Sequence, residues 1–557
     1  MRNNILLIAI AILAFSCKTD KKANLDLAEN QQKEEAKTPF VWEAANVYFL
    51  LTDRFNNGDK DNDVNYNRDK ETGILRGFEG GDLKGITQKI EAGYFTNLGV
   101  NAIWMSPIVE QIHGGTDEGT GLTYGFHGYW TKDWTNIDAN LGTEADLKHL
   151  VDAAHKKGIR VLLDAVINHT GPVTEQDPVW PNDWVRTGPQ CNYQNYDSTV
   201  TCTLVKNLPD IKTESNEEVE LPPHLIAKWK EEGRYDKEVA ELDAFFEAND
   251  YPRAPRFYIM KWLSDYVKDF GIDGYRVDTV KHTEAYVWQE FNAICDNAFA
   301  EFKQVHPDKV VDDNNFYLVG EVYNYGISSG IAFDFGDKKV NYFENAFNSL
   351  INFEFKWNAA QQSYEEQFKN YDSILNSTLK DYGVLNYLTS HDDGQPFDKN
   401  REKTYETATR LLLSPGASQI YYGDESARDL TIEGTVGDAT LRSFMNWEEM
   451  PQNQDLLTHW QKLGQFRSKH PSVGAGQHQM ISDAPYVFSR KYSKGDFKDE
   501  VIIGLDIPKG EHHINVSSVF KDGQQVIDFY SGDTVEVKNG TITISIATNI
   551  ILLEELK

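Results

Sequence analysis

The stretch GIDGYRVDTVKH, Gly271 to His282, decides the fold class. Its centre reads as a buried strand, yet it carries Arg276, Asp278, Lys281 and His282. Side chains two apart on a strand point the same way, so Arg276 and Asp278 share one face while Tyr275 and Val277 take the other. Ions are costly to bury unless they are paired. Either the two form a structural ion pair, or the carboxylate is held for chemistry.

Working outward from this strand, runs of similar character recur at intervals separated by helical patterns. They are Val47–Phe55, Ala102–Pro107, Val161–His169, Gly271–Asp278, Tyr317–Val322, Leu350–Phe355, Val384–Ser390 and Ser418–Gly423. The segment Thr143–Gly158 shows the logic between strands. Leu147, Leu150, Val151 and Ala154 have helical spacing, Thr143 can cap the start with Asp146 three residues on, and Gly158 can end it. A second stripe is Ile259, Trp262, Leu263, Tyr266 and Val267, closed by Gly271. Eight strands alternating with helices predict an α/β fold, a closed (β/α)8 TIM barrel with an outer ring of helices; on strand count alone an open sheet stays possible.

Two segments break the rhythm. Residues 171–250 hold two cysteines, Pro-rich turns and a charged stretch, and read as an excursion domain leaving the end of the third strand. The barrel then occupies 39–170 and 251–470. Residues 471–557 read as a C-terminal antiparallel β-sandwich, because VEVKNGTITISI alternates with period two around Asn539-Gly540, a hairpin signal.

The N-terminal end reads as targeting. Arg2 precedes an apolar run, Ile5 to Phe15, too short to span a bilayer, and LAFSC ends in Cys17. Residues 1–17 therefore read as a lipoprotein signal with Cys17 as the lipidated residue, and 18–38 as a flexible polar tether. Such a chain is exported and anchored in a membrane, at the periplasmic face of the outer membrane or the cell surface of a Gram-negative-type bacterium. In an exported protein, Cys191 and Cys202 around a short polar loop predict a disulfide, and Cys295 in an apolar helical pattern predicts a buried thiol. With 86 acidic against 55 basic residues the net charge is −31, which repels phosphate backbones and disfavours nucleic acid as a partner. The oligomeric state is not legible; a monomer is the expectation.

Active groups of such a barrel gather at the C-terminal ends of strands. The third run ends in Asp164, Asn168 and His169, the fourth in Arg276 and Asp278, the fifth in Glu321, and the seventh in His391 and Asp392. Three neighbouring carboxylates raise the pKa of at least one of them, whereas Arg276 would hold Asp278 ionised. An ionised carboxylate facing a protonated one is the apparatus of retaining glycoside hydrolysis.

The segments DAVINH, GYRVDTVKH, VGEV and TSHDD resemble the four signature segments of the α-amylase family, glycoside hydrolase family 13. LGVNAIWMSP, FHGYW, LPDI and IYYGDE extend the resemblance in the right order, and EQIHGG, KDWTNIDANLG and YYGDESAR are similar to periplasmic α-amylases of Gram-negative bacteria. The resemblance implies Asp278 as nucleophile, Glu321 as general acid/base and Asp392 as the third carboxylate, binding sugar hydroxyls and favouring the distorted ring. It implies that Arg276 orients Asp278 and that Asp164 supports Arg276. His127, His169, His391 and the ring of Tyr129 would hold the sugar at the cleavage point, and Lys281 and His282 the next one. Ser390 stands where the family usually has Asn.

It also implies calcium. Asn168, Asp210 and the carbonyl of His282 match a site between barrel and excursion domain. A second candidate is NGDKDNDVN, Asn57 to Asn65, with Gly80 and Asp82. Val64 and Lys70 break the EF-hand pattern there. Asn57, Asp59, Asn62, Asp63, Gly80 and Asp82 instead match an N-terminal site of cyclodextrin-forming relatives. The function expected is endo-hydrolysis of α-1,4 links in starch-like glucans, with no organic cofactor. The rivals are a transglycosylating relative and an inactive glucan-binding lipoprotein; the intact carboxylates oppose the second.

Overall fold

The computed structural model describes Thr38 to Leu556. Residues 1–37 lie outside the described residues, and with them the expected signal, Cys17 and nearly all of the expected tether. Eight parallel strands close into a barrel: β1 Asn46–Leu50, β2 Ala102–Met105, β3 Arg160–Ala165, β4 Gly274–Val277, β5 Tyr317–Gly320, β6 Ser349–Asn352, β7 Gly383–Tyr387 and β8 Ala417–Tyr421. Each strand pairs with its neighbour in sequence, and β8 returns to β1. Every residue of these strands is buried, so charge on them has to find a partner inside.

The helices form where their stripes predict. α1, Glu144–Lys156, begins with a reciprocal capping box between Thr143 and Asp146 and buries Leu147, Leu150, Val151 and Ala154. α2, Pro255–Phe270, starts on Pro255 and stops at Gly271, whose φ is +71°. A Cβ on Gly271 would also lie 2.1 Å from the ring of Phe302, so both backbone and packing demand glycine. The alternation fails once. Between β5 and β6 lie only the 3-10 turn Ile327–Ser329 and a ribbon of Phe333–Asp334 with Lys339–Val340. Gly326, Gly330 and Gly336 interrupt any helical stripe there.

The excursion after β3 pairs Val185–Arg186 with Asp210–Ile211 and joins Cys191 to Cys202, whose Cα atoms are 4.9 Å apart. Cys295 is a buried free thiol. Trp184 and Trp229 of the excursion close on Trp262 of α2, with ring centroids 6.3 and 6.1 Å away, and belong to the barrel's own apolar core.

The C-terminal part is a six-stranded antiparallel sheet facing a two-stranded ribbon. Alternation sorts its side chains. Val487, Ile502, Ile551 and Leu553 enter the core under the ribbon, while Phe488, Val501, Ile503 and Leu552 pack on the barrel side. Asn539 and Gly540 make the expected turn, with φ of +53° and +71°. The arms do not stay paired, however. Thr534–Glu536 joins the large sheet through Gln525–Asp528, and Thr541–Ile546 joins the ribbon with Gly510–Asn515. The turn links the two layers and closes only the Lys538–Thr541 bridge.

Candidate active site

Register assembles the site. Arg276 on β4 is aligned with Asp164 on β3, and the next residue, Val277, with Gly320 on β5. Side chains at one level of adjacent strands enter the barrel together. Arg276 Nη1 therefore lies 3.0 Å from Asp164 Oδ1 and 2.7 Å from Asp278 Oδ1, while Nη2 lies 3.1 Å from Glu321 Oε1. Trp104 Nε1 and Tyr129 Oη donate to Asp164 Oδ2 at 3.1 and 2.9 Å. Tyr275, on the opposite face, donates from its hydroxyl to Leu263 O on α2.

Three carboxylates share a guanidinium that is 1% exposed. One positive charge cannot neutralise them all, so one has to keep its proton. Burial pushes Glu321 up to about 8, against Arg276 and with help from Asp278 and Asp392. Its 3.1 Å contact with Arg276 is thus better read as a hydrogen bond to a neutral acid than as an ion pair. Burial pushes Asp164 up as well, to about 7, so the short 2.7 Å contact with Asp278 is the main match for Arg276. Thr279, next along, sits at φ +51°, strained for a β-branched residue. Its N–H donates to Glu321 Oε2 at 3.1 Å, and Val280 N–H donates to Glu321 O at 3.0 Å, which locks the two strand ends together.

Asp392 comes from the loop after β7. Its side chain is 41% exposed to the cleft. Burial works to raise its pKa, but His391 and Arg442 prevail and hold it well below the usual carboxylate range. His391 Nε2 is 2.9 Å from Asp392 Oδ2, and Arg442 Nη2 donates to Oδ1 at 2.6 Å. Neither His391 ring nitrogen has a well-aligned hydrogen-bond partner, although both are buried. The Tyr129 ring lies parallel to that imidazole at 5.4 Å. Tyr129 N–H donates to His127 Nδ1 at 3.0 Å, and His169 Nε2 donates to Tyr129 O at 3.1 Å. Lys281 and His282 follow on the 3-10 turn Val280–His282, donating to Tyr323 O at 3.2 Å and, through His282 Nδ1, to Thr199 O of the excursion at 2.9 Å. Ser390 Oγ accepts weakly from Asp392 N–H at 3.4 Å.

The two sets of oxygen ligands expected from sequence also converge. Asn168 Nδ2 donates to Asp210 Oδ1 at 2.9 Å and to His282 O at 3.1 Å. Turned over, that amide presents its oxygen to the same point. Burial pushes Asp210 up to about 8 even with Arg186 2.8 Å from its other oxygen, so the carboxylate is short of positive charge. At the N-terminal set, Asn57 Oδ1 and Asn62 Oδ1 are buried and unpartnered, and Asn57 Nδ2 donates to Asp63 Oδ1 at 2.8 Å. A Cβ on Gly80 would fall 2.6 Å from Asp63 Oδ1, so only glycine lets that chain approach. Asp82 is held by Gly58, Asp59 and Gly85 N–H groups, while Asp59 is engaged by Lys84. Among the described residues no group of three His, Cys, Asp or Glu side chains is arranged to hold a metal ion. The first cluster offers an amide, a carbonyl and a carboxylate, and the second adds Asp59, Asp63 and Asp82 to its amides and the Gly80 carbonyl, an all-oxygen donor set that suits a hard cation.

A family model for the alpha amylase catalytic domain matches residues 49–472. The chain belongs to the α-amylase family. Its relatives include the periplasmic alpha-amylase of Escherichia coli (strain K12), 36% identical over 84% of this chain and 73% of that one. The cyclomaltodextrin glucanotransferase of Geobacillus stearothermophilus is 27% identical over 89% of this chain and 65% of its own length. The crystal structure of an Anoxybacillus alpha-amylase shares the fold with a TM-score of 0.63 at 24% identity, covering 93% of this chain and 100% of that one. As an α-amylase family member the chain is a glycoside hydrolase.

Two polar contacts of this α-amylase site were absent from the reading of the sequence. Trp104 lies on β2, where it reads as core, and its indole N–H is invisible to apolar patterning. Arg442 lies 50 residues after Asp392, at the end of the 3-10 helix Gly437–Arg442, where no apolar period singles it out. Only its contact with Asp392 marks it.

Proposed function

We propose that the chain hydrolyses internal α-1,4-glucosidic bonds of starch, maltodextrin or glycogen, with retention at the anomeric carbon. The observation that carries this reading is Arg276 bridging Asp278, as its ion-pair partner, and Glu321, kept protonated by burial. Asp278 attacks the anomeric carbon as the glycosidic C–O bond breaks, and Glu321 gives its proton to the departing oxygen. The Glu321 carboxylate then takes a proton from water, whose oxygen displaces Asp278. Asp164 and Asp278 fix Arg276 between them. His127, His169, His391 and Tyr129 grip the reacting sugar, and Asp392 bonds its hydroxyls as the ring flattens. Lys281 and His282 bind the following sugar. The expected result with maltoheptaose is fresh α-anomers, seen by proton NMR before mutarotation. Fresh β-anomers would overturn the reading, and products longer than the substrate would move the chain to transglycosylation.

The two oxygen clusters are read as calcium sites, one of Asn168, Asp210 and the His282 carbonyl, the other of Asn57, Asn62, Asp63, Gly80 and Asp82, with Asp59 at its rim. Bound calcium supplies charge and cross-links loops; at the first site Asn168 and His282 tie the excursion to the cleft. EDTA is expected to lower Tm by at least about 3 °C and to lower activity, both restored by calcium. Unchanged Tm and activity would remove the metals. The export reading stands on the signal expected at residues 1–17 and is supported by the periplasmic name of the Escherichia coli relative.

A further inference from the structure

Of the twelve tryptophans, Trp357 alone stands among the exposed large apolar side chains of the described residues, at 45% exposure. It lies on α3, Phe355–Gln361, the short helix that follows β6. Its indole borders a cavity of about 380 Å³ that also touches Glu321, Tyr323, Phe353, Asp392 and Gln395. That cavity reaches the acid and the segment after it; Asp278 and Tyr129 do not line it. Its other walls are Trp104, Arg276 and His391 around the reacting-sugar position and, past the acid, Tyr323, whose ring centroid lies 5.1 Å from Lys281 Nζ, so it runs from that position toward the side from which the protonated oxygen departs.

The indole is held from below. Phe355 is fully buried and anchors α3, while Lys356, 7% exposed, runs under the ring with its Nζ 4.5 Å from the Trp357 centroid. Lys356 Nζ bonds Asp393 and donates to Gln395 O at 3.1 Å, and Tyr387 Oη donates to Asp393 Oδ2 at 3.0 Å. The pair thus fastens α3 to the loop that carries Asp392. Glu354 adds a second fastening, accepting from Ser328 Oγ at 2.8 Å and Asn358 Nδ2 at 3.1 Å. A large apolar face kept at the mouth of a polar cavity, rather than turned into the core, suits a ligand with a flat C–H face and a hydroxyl rim.

We propose that Trp357 is a stacking platform for a glucosyl unit on the leaving-group side of the cleft, positioned by the Lys356–Asp393 pair. This deepens the α-glucan reading and rests on it. It adds a specificity determinant: longer leaving oligosaccharides gain contact with the indole, and a leaving atom gains none.

The test compares maltoheptaose with α-maltotriosyl fluoride, whose leaving group cannot reach α3. Trp357→Ala should lower kcat/KM for maltoheptaose by about thirtyfold, the scale of a well-placed aromatic contact. The fluoride should react within about twofold of wild type, because fluoride departs without a sugar to bind. Trp357→Phe keeps a flat ring and should recover most of the loss. Equal loss on both substrates would make Trp357 structural, and no loss on either would make it idle; both overturn the proposal. A wild type that cleaves neither substrate would count against the proposed function instead. Calorimetric binding of maltoheptaose would then decide Trp357, weaker binding by Trp357→Ala supporting the platform and equal binding overturning it.

Discussion

Asp278→Asn is expected to abolish cleavage of maltoheptaose, lowering kcat by about 10⁴ or more, as loss of an enzymatic nucleophile does. The size follows from the geometry. No other carboxylate can take over: Asp164 is turned onto Arg276, Trp104 and Tyr129, and Asp392 is held by Arg442. The fold should survive. Breaking a buried pair is costly when it strands a charge, but Arg276 keeps Asp164 and its contact with Glu321. The amide is also close to the carboxylate in shape. Thermal melting beside the rate measurement separates the two effects. A variant that melts like wild type and still turns over within tenfold of it would dismiss Asp278 as nucleophile.

Glu321→Gln should lower kcat/KM for maltoheptaose by about 10³, within the range of general acid catalysis, yet lower it far less for α-maltotriosyl fluoride. Fluoride leaves without a proton, so the first step no longer needs the acid. Deglycosylation still needs a base, and the covalent glycosyl-enzyme should accumulate, visible as added mass on intact protein. The same residue sets the alkaline limb of the wild-type pH profile. Burial disfavours the anion, which raises the pKa to about 8 and keeps the proton on through neutral pH. Above that value the acid is lost, so kcat/KM for maltoheptaose should fall as pH rises through about 8, while the fluoride substrate should lack this limb. Equal sensitivity of both substrates to the substitution would give Glu321 another role.

All eight barrel strands were legible in the sequence, as was the face shared by Arg276 and Asp278, because a two-residue repeat and a run of apolar neighbours are local facts. The polar residues at strand ends were legible for a related reason: a charge at the end of a buried run has few places to go. The capping box of α1 and the stop of α2 at Gly271 depend on residues within a turn of each other, and both formed where expected. The missing helix between β5 and β6 was a failure of analogy with the other connections, since the glycines that prevent it were in view.

What the sequence by itself determined is therefore the barrel, its strand ends and the type of groups gathered there. Tertiary structure alone decided how those groups divide their charge. Asp164, Asp278 and Glu321 are all carboxylates beside one arginine, and only register and burial push Glu321 up to about 8, above Asp164 at about 7. Packing likewise sent the two arms from Asn539-Gly540 into different layers, brought Arg442 to Asp392 and turned Trp357 outward while Phe355 turned in. The physical reason is common to all of these. Pattern and propensity act between residues close in the chain, whereas desolvation and long-range pairing depend on which segments meet, and no local period records that.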